Sequence, residues 1–119
     1  MAITTEINET NFDKVVQQTT ASATPDDNIF NSAGNIFYIQ AKNSSGTDAW
    51  LKLYDSTGPT VGTTTPDVQI YCKANVTQNI ICRTGISFST GISMCGVRED
   101  GTEGTTNAAD TLQVTIIGA

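Results

Sequence analysis

The residues of this chain with chemical reach are carboxylates, thiols and a few aromatics. The carboxylates fall in groups: Asp26 with Asp27, Asp55 with Asp67, and Glu99 with Asp100 and Glu103. Paired carboxylates can work as general acid and base. Each group here stands in a turn-like segment, where Asp and Glu are usually solvated or bonded to backbone. The chain has no histidine. That removes Ser-His-Asp and Cys-His activation of a nucleophile, and with them the commonest metal ligand. The pattern is that of a protein that is not an enzyme.

The same acidic run, Glu99, Asp100, Gly101, Thr102, Glu103 and Gly104, offers three carboxylates with Asp110 close behind. Oxygen ligands on a loop suit Ca²⁺, but the spacing matches no EF-hand. It reads as an acidic surface loop, and no metal or other cofactor is expected. Cys72, Cys82 and Cys95 form no C-x-x-C pair, and an odd count does not make a disulfide framework. They read as reduced thiols packed as small hydrophobes, with a disulfide between two of them as the alternative. Gly-x-x-x-x-Gly spacings occur, but no Gly-Lys-Ser/Thr follows, so no phosphate loop is supported. Trp50 and Tyr54 share one strand face with Lys52. Such aromatics can stack on a sugar or anchor an interface. If both strand faces are covered they are core, which is the reading favoured for Trp50.

The elements that must position these residues are strands. Asn35 to Lys42 and Ala49 to Asp55 alternate large and polar residues. In the first, Ile36, Tyr38 and Gln40 share one face and Phe37, Ile39 and Ala41 the other. Further strands are expected over 12–24, 67–73, 77–84, 86–88, 93–98 and 111–118. Asn43 to Asp48 is a loop of hairpin length, and 67–73 with 77–84 are expected to form a hairpin around Ala74, Asn75 and Val76. No segment of helical length shows an apolar stripe. Short strands with frequent turn signals predict an all-β fold, a single antiparallel β-sandwich or jelly-roll-like domain over 12–119. Residues 1–11 are polar and weakly patterned, and read as a flexible or partner-docked arm.

Composition narrows the partners. Only 15% of the 119 residues are charged, and the net charge is −6. The six cations are scattered. That argues against a nucleic-acid partner or an anionic membrane. Low charge density suits a surface that neighbours partly cover, because desolvating charge is costly. The first residues lack a positive n-region and an apolar core, so folding in the cytosol is expected. Sequons at Asn8, Asn43 and Asn75 then read as chance.

Within this frame, Trp50 to Asp55, Pro59 to Thr63, Pro66 and Gly85 to Ile92 stand out. An aromatic-Leu-Lys-Leu-Tyr-Asp strand, a Pro-Thr-Val-Gly-Thr turn and a Phe-Ser-Thr-Gly-Ile signature resemble a recurrent small domain of tailed-phage virion proteins. The Gly/Thr/Ala-rich loop and the final strand from Leu112 to Ile116 fit too, so the likeness covers about two-thirds of the chain. Tyr71 to Val76 and Cys82 depart from it, because a richer Pro/Gly turn and an ordinary apolar residue are usual there. The resemblance brings no catalytic residues. It implies a capsid decoration (cement) protein on the outer capsid surface, made in the host cytoplasm. The major capsid protein would be its partner, with self-association, such as a trimer. A carbohydrate-binding or adaptor module of a tail or fibre, with Trp50, Tyr54 and Tyr71 as stacking aromatics, is the alternative. The residues expected to contact a partner are Ile3 and Ile7 in the arm and Glu99, Asp100 and Glu103 in the loop.

Overall fold

The computed structural model describes residues 13–109 and 112–119. These form seven strands: β1 (Lys14–Gln18), β2 (Gly34–Asn43), β3 (Ala49–Asp55), β4 (Val68–Cys72), β5 (Val76–Phe88), β6 (Ile92–Val97) and β7 (Leu112–Gly118). One sheet has the order β1-β7-β2-β5 and the other β4-β3-β6. Every pairing is antiparallel. The two packed sheets make the β-sandwich that the alternating sequence predicts.

The core lies between the sheets and follows the period of two. Leu112, Val114 and Ile116 of β7 meet Leu51 and Leu53 of β3, Ile92 and Met94 of β6, and Ile70 and Cys72 of β4 in one buried cluster. Full burial of such a side chain is worth about 1.5–3 kcal/mol. In β2 the simple alternation fails. The register slips between Ile36 and Tyr38, so a β-bulge falls at Phe37. One extra residue reverses the phase, and Ile36 joins Ile39 and Ala41 in the core instead of sharing a face with Tyr38. Opposite the bulge, Gly85 has φ +82, and a Cβ there would sit 3.1 Å from the Phe37 ring. The left-handed backbone and the close ring both call for glycine at this position. Here the expected strands over 77–84 and 86–88 are joined into the single strand β5.

Neither expected hairpin forms. β2 and β3 lie in different sheets, as do β4 and β5. Both connections are arches across the sandwich, and they are held side by side. The Asn43 side chain, 2% exposed, donates Nδ2–H to the Thr47 and Cys72 carbonyls at 2.9 Å each, while its Oδ1 accepts from Ser45. Asn75, at φ +59, donates its N–H to the Ser45 carbonyl. Asp48 accepts from the Ala74 N–H and the Tyr71 hydroxyl. The short spacing that resembled a hairpin is therefore filled by side chains that replace ladder bonds at a sheet-to-sheet step.

The strand expected over 12–24 is shorter, ending at Gln18. The chain then leaves β1, and Ser22, Asp26 and Ile29 bond the outer edge of β6. Gln18 Nε2 braces this detour by donating to both Asp26 carboxylate oxygens, at 2.8 and 2.9 Å. Arg98 and Ala108 complete the edge through bonds to Thr106 and Gly96, so β6 is not left open to pair with another chain.

Candidate functional site

Of the candidate groups, Trp50, Lys52, Tyr54 and Cys95 share the outer face of the three-stranded sheet. β3 is its central strand, and alternation sends Trp50, Lys52 and Tyr54 outward together. That face is not solvent. Tyr54, Cys95 and Val97 are fully buried in a second small cluster with Trp50, Val61 and Ala23 packed against it. The cover is the chain itself. The loop 56–67 brings Val61 over the sheet, and the loop 98–109 meets it where Gly62 closes on Thr105.

Lys52 is 0% exposed, and its ammonium donates to the Gly101 carbonyl at 2.5 Å. The Gly101 N–H donates to Gln69 Oε1 at 2.7 Å. Two strand side chains thus hold both backbone polar groups of one loop residue, which leaves neither unpaired. Gly101 itself sits at φ +74. Within the loop, Glu99 accepts from the Thr106 hydroxyl and N–H. Those bonds, the hydroxyl's first, hold the Glu99 carboxyl below its ordinary range.

Asp55 does the same at the β5–β6 crossing. Its carboxylate accepts from the N–H groups of Thr90 at 2.8 Å, Ser89 and Gly91, and from the Ser89 hydroxyl. The Thr90 bond is the largest cause of its lowered pKa. Asp67, its partner in sequence, accepts from the Asp55 N–H at 2.6 Å. The pair therefore closes turns and does not face a common substrate space. Asp26 is occupied by Gln18, and Asp27 is exposed beside it. No group of three or more His, Cys, Asp or Glu is placed to hold a metal ion among the described residues.

The thiols are unpaired with one another. Burial pushes the Cys72 thiol up to about 11 and raises that of Cys95. Neither is a ready nucleophile. Tyr54 O–H lies 3.5 Å from Cys95 Sγ, and its burial raises the phenol pKa too. Of the aromatics proposed to stack on a sugar, Tyr54 is thus withdrawn into the interior. Trp50 is half-buried and Tyr71 is 40% exposed, with ring centroids 5.2 Å apart and planes tilted by 47°. This is a packed aromatic pair of the common tilted kind, not a flat platform. The sequon at Asn43 is closed to modification in the folded chain, because its amide is buried and bonded.

The partner residues expected from sequence lie in separate places. Asp100 and Glu103 are exposed on the clamped loop, and Glu99 is half-buried at its base. Ile3 and Ile7, with the whole arm 1–11, lie outside the described residues. Sequence reasoning missed the outer face of the four-stranded sheet. Cross-strand register there puts Val15, Ile117, Tyr38 and Ile81 in one row across all four strands. The next row is Gln17, Thr115, Gln40 and Asn79, in which Asn79 Oδ1 accepts from Tyr38 and Gln40. Each strand alone shows one apolar residue among polar ones, so only the pairing order could reveal the row. These four strands contain Lys14, Lys42 and Arg83 and no carboxylate, in a chain of net charge −6. No family model matches the chain, and no curated protein or solved structure matches it either.

Proposed function

We propose that this chain is a virion structural protein of the capsid decoration type, which binds the outer lattice formed by a major capsid protein and stabilises the head. The observation that carries this reading is how the polar side chains are spent. Asn43, Asp48, Lys52, Asp55 and Glu99 all hold the chain's own turns and loops in place. A scaffold stiffened in this way presents surface and does no chemistry. The segments that carry the likeness to tailed-phage domains are such scaffold parts. Trp50 to Asp55 is β3, the Pro59 to Thr63 segment lies in its covering loop, and Gly85 to Ile92 spans the β5–β6 crossing.

The contact surface in this reading is the loop 99–106. Its backbone is pinned through Gly101 and Thr106, so Asp100 and Glu103 are displayed with little ordering entropy left to lose on binding. Many copies on a repeating lattice, each with modest area, bind by avidity. Self-association into a trimer multiplies the contacts per complex further.

The test is to add purified protein to heads of the encoding phage that lack it. Saturable binding in a fixed ratio to capsomers, with a higher temperature of head rupture, is expected. Asp100→Lys with Glu103→Lys should lower occupancy sharply while leaving the protein's own melting unchanged. Absence of binding, with heads no less stable without the protein, overturns the reading. Saturable binding to a glycan array in its place would favour the carbohydrate-binding alternative.

A further inference from the structure

Three members of the row, Ile117, Tyr38 and Ile81, line a shallow groove of about 610 Å³ with Phe37, Cys82 and Arg83, and Val15 continues the row beyond it on β1. Ile81 is 74% exposed and Val15 61% exposed to solvent in the described structure. Large apolar side chains this exposed, contiguous across a sheet, are unusual on a lone domain and mark a contact surface. The row crosses three inter-strand gaps, roughly 14 Å at about 4.8 Å each. A stable dimer needs about 800 Å² from each partner. A handful of side chains falls well short of that, but it matches the width of one extended segment.

We propose that this groove seats the chain's own first twelve residues, with Ile3 and Ile7 on the apolar row and Glu9, on the same side of an extended segment, toward Lys42 or Arg83. Four observations point to this occupant. The segment joins the domain at the row itself, since the first described residue, Asp13, leads into β1 and Val15. Fully extended, twelve residues reach about 40 Å, several times the row. Met1, Ile3 and Ile7 all fall on odd positions, which in extended form puts the three large apolar side chains on one side. The charges are complementary: residues 1–12 contain Glu6 and Glu9 and no Lys or Arg, while the sheet contains cations and no carboxylate. A segment tethered beside its groove has an effective concentration in the millimolar range, so it outcompetes the same segment of a second copy. The inference is independent of the proposed capsid role, and it assigns Ile3 and Ile7 to the chain's own sheet and not to a partner.

The experiment uses the full chain with Cys82→Ser, Thr5→Cys and Thr115→Cys, treated with a short flexible bis-maleimide. Thr115 borders the row, and Cys72 and Cys95 are buried. A control chain pairs Thr5→Cys with Thr63→Cys, which is exposed on the loop over the other sheet. The expected product is a cross-link within one chain for Thr115 and much less for Thr63. Adding Ile3→Ser and Ile7→Ser should abolish that preference and raise the fluorescence of a hydrophobic dye several-fold. A cross-link mainly between chains overturns the proposal in favour of a second copy. Equal yields at the two positions, no cross-link, or no effect of the serine pair on either readout overturn it as well.

Discussion

The outer faces of the two sheets begin from nearly the same pattern. β3 sends out Trp50, Lys52 and Tyr54, and β2 sends out Tyr38, Gln40 and Lys42. Yet Lys52 and Tyr54 are 0% exposed, while Lys42 is exposed. The strands do not make this difference. The loops 56–67 and 98–109 fold back over β3, and the lysine there meets a carbonyl instead of water. No described loop lies over β2. An amphipathic strand therefore specifies which side faces the main core, but the connections decide whether its second side is surface or a second core. A lysine suits both outcomes, since its stem is apolar and its head needs only acceptors.

The sharpest way to break the comparison is truncation on matched positions. Tyr54→Ala should cost about 3–5 kcal/mol in chemical denaturation, as a core residue does, whereas Tyr38→Ala should cost less than about 1 kcal/mol. Equal losses would mean the two faces are alike. Next in size is Asn43→Ala, which removes the side-chain bonds to the Cys72 carbonyl and the Ser45 N–H at the arch between the sheets. A loss of about 2–3 kcal/mol is expected, with the m-value unchanged.

Acid should act on the turns and the covered face. The carboxyls of Asp48, Asp55 and Glu99 are all lowered by accepted hydrogen bonds, led by those from Ala74, Thr90 and Thr106 respectively. The folded state then binds fewer protons than the unfolded one. Their stabilisation is complete above the ordinary carboxylate values of 3.8 and 4.5 and is lost as pH falls through the lower folded values. Melting temperature measured downward from about pH 4.5 should therefore fall, and Asp55→Asn should flatten that fall. The smallest effect is expected at the outer face of the four-stranded sheet. Val15→Ser or Ile81→Ser should change stability by less than about 1 kcal/mol. A larger loss would show that this face is also integral to the core.

Much of the fold was legible in the order of residues. Ala49–Asp55 was read with both ends correct, and the strands ending in Cys72, Val97 and Gly118 were placed within a residue or two. Alternation of apolar residues is local, so it survives in any all-β arrangement. Two readings failed for reasons that are not local. Ile36 was assigned to the wrong face because a bulge depends on what the partner strand offers, here Gly85 opposite Phe37. The two hairpins were arches because Asn43 and Asp48 found acceptors and donors on a neighbouring arch remote in sequence. As for the site, the exposure of Asp100 and Glu103 followed from their place in a polar loop. The inward turn of Glu99 toward Thr106 did not.

The sequence alone determined the class of object: an acidic all-β chain without histidine, with alternating strands and thiols that are not arranged as a metal site. Those properties depend on residue type and on spacing of a few positions. Tertiary structure alone decided which faces exist. The buried Lys52, the clasp at Gly101 and the row from Val15 to Ile81 each join residues 30 or more positions apart. The reason is that strand order and loop cover come from packing two sheets against each other, and no local pattern encodes that choice.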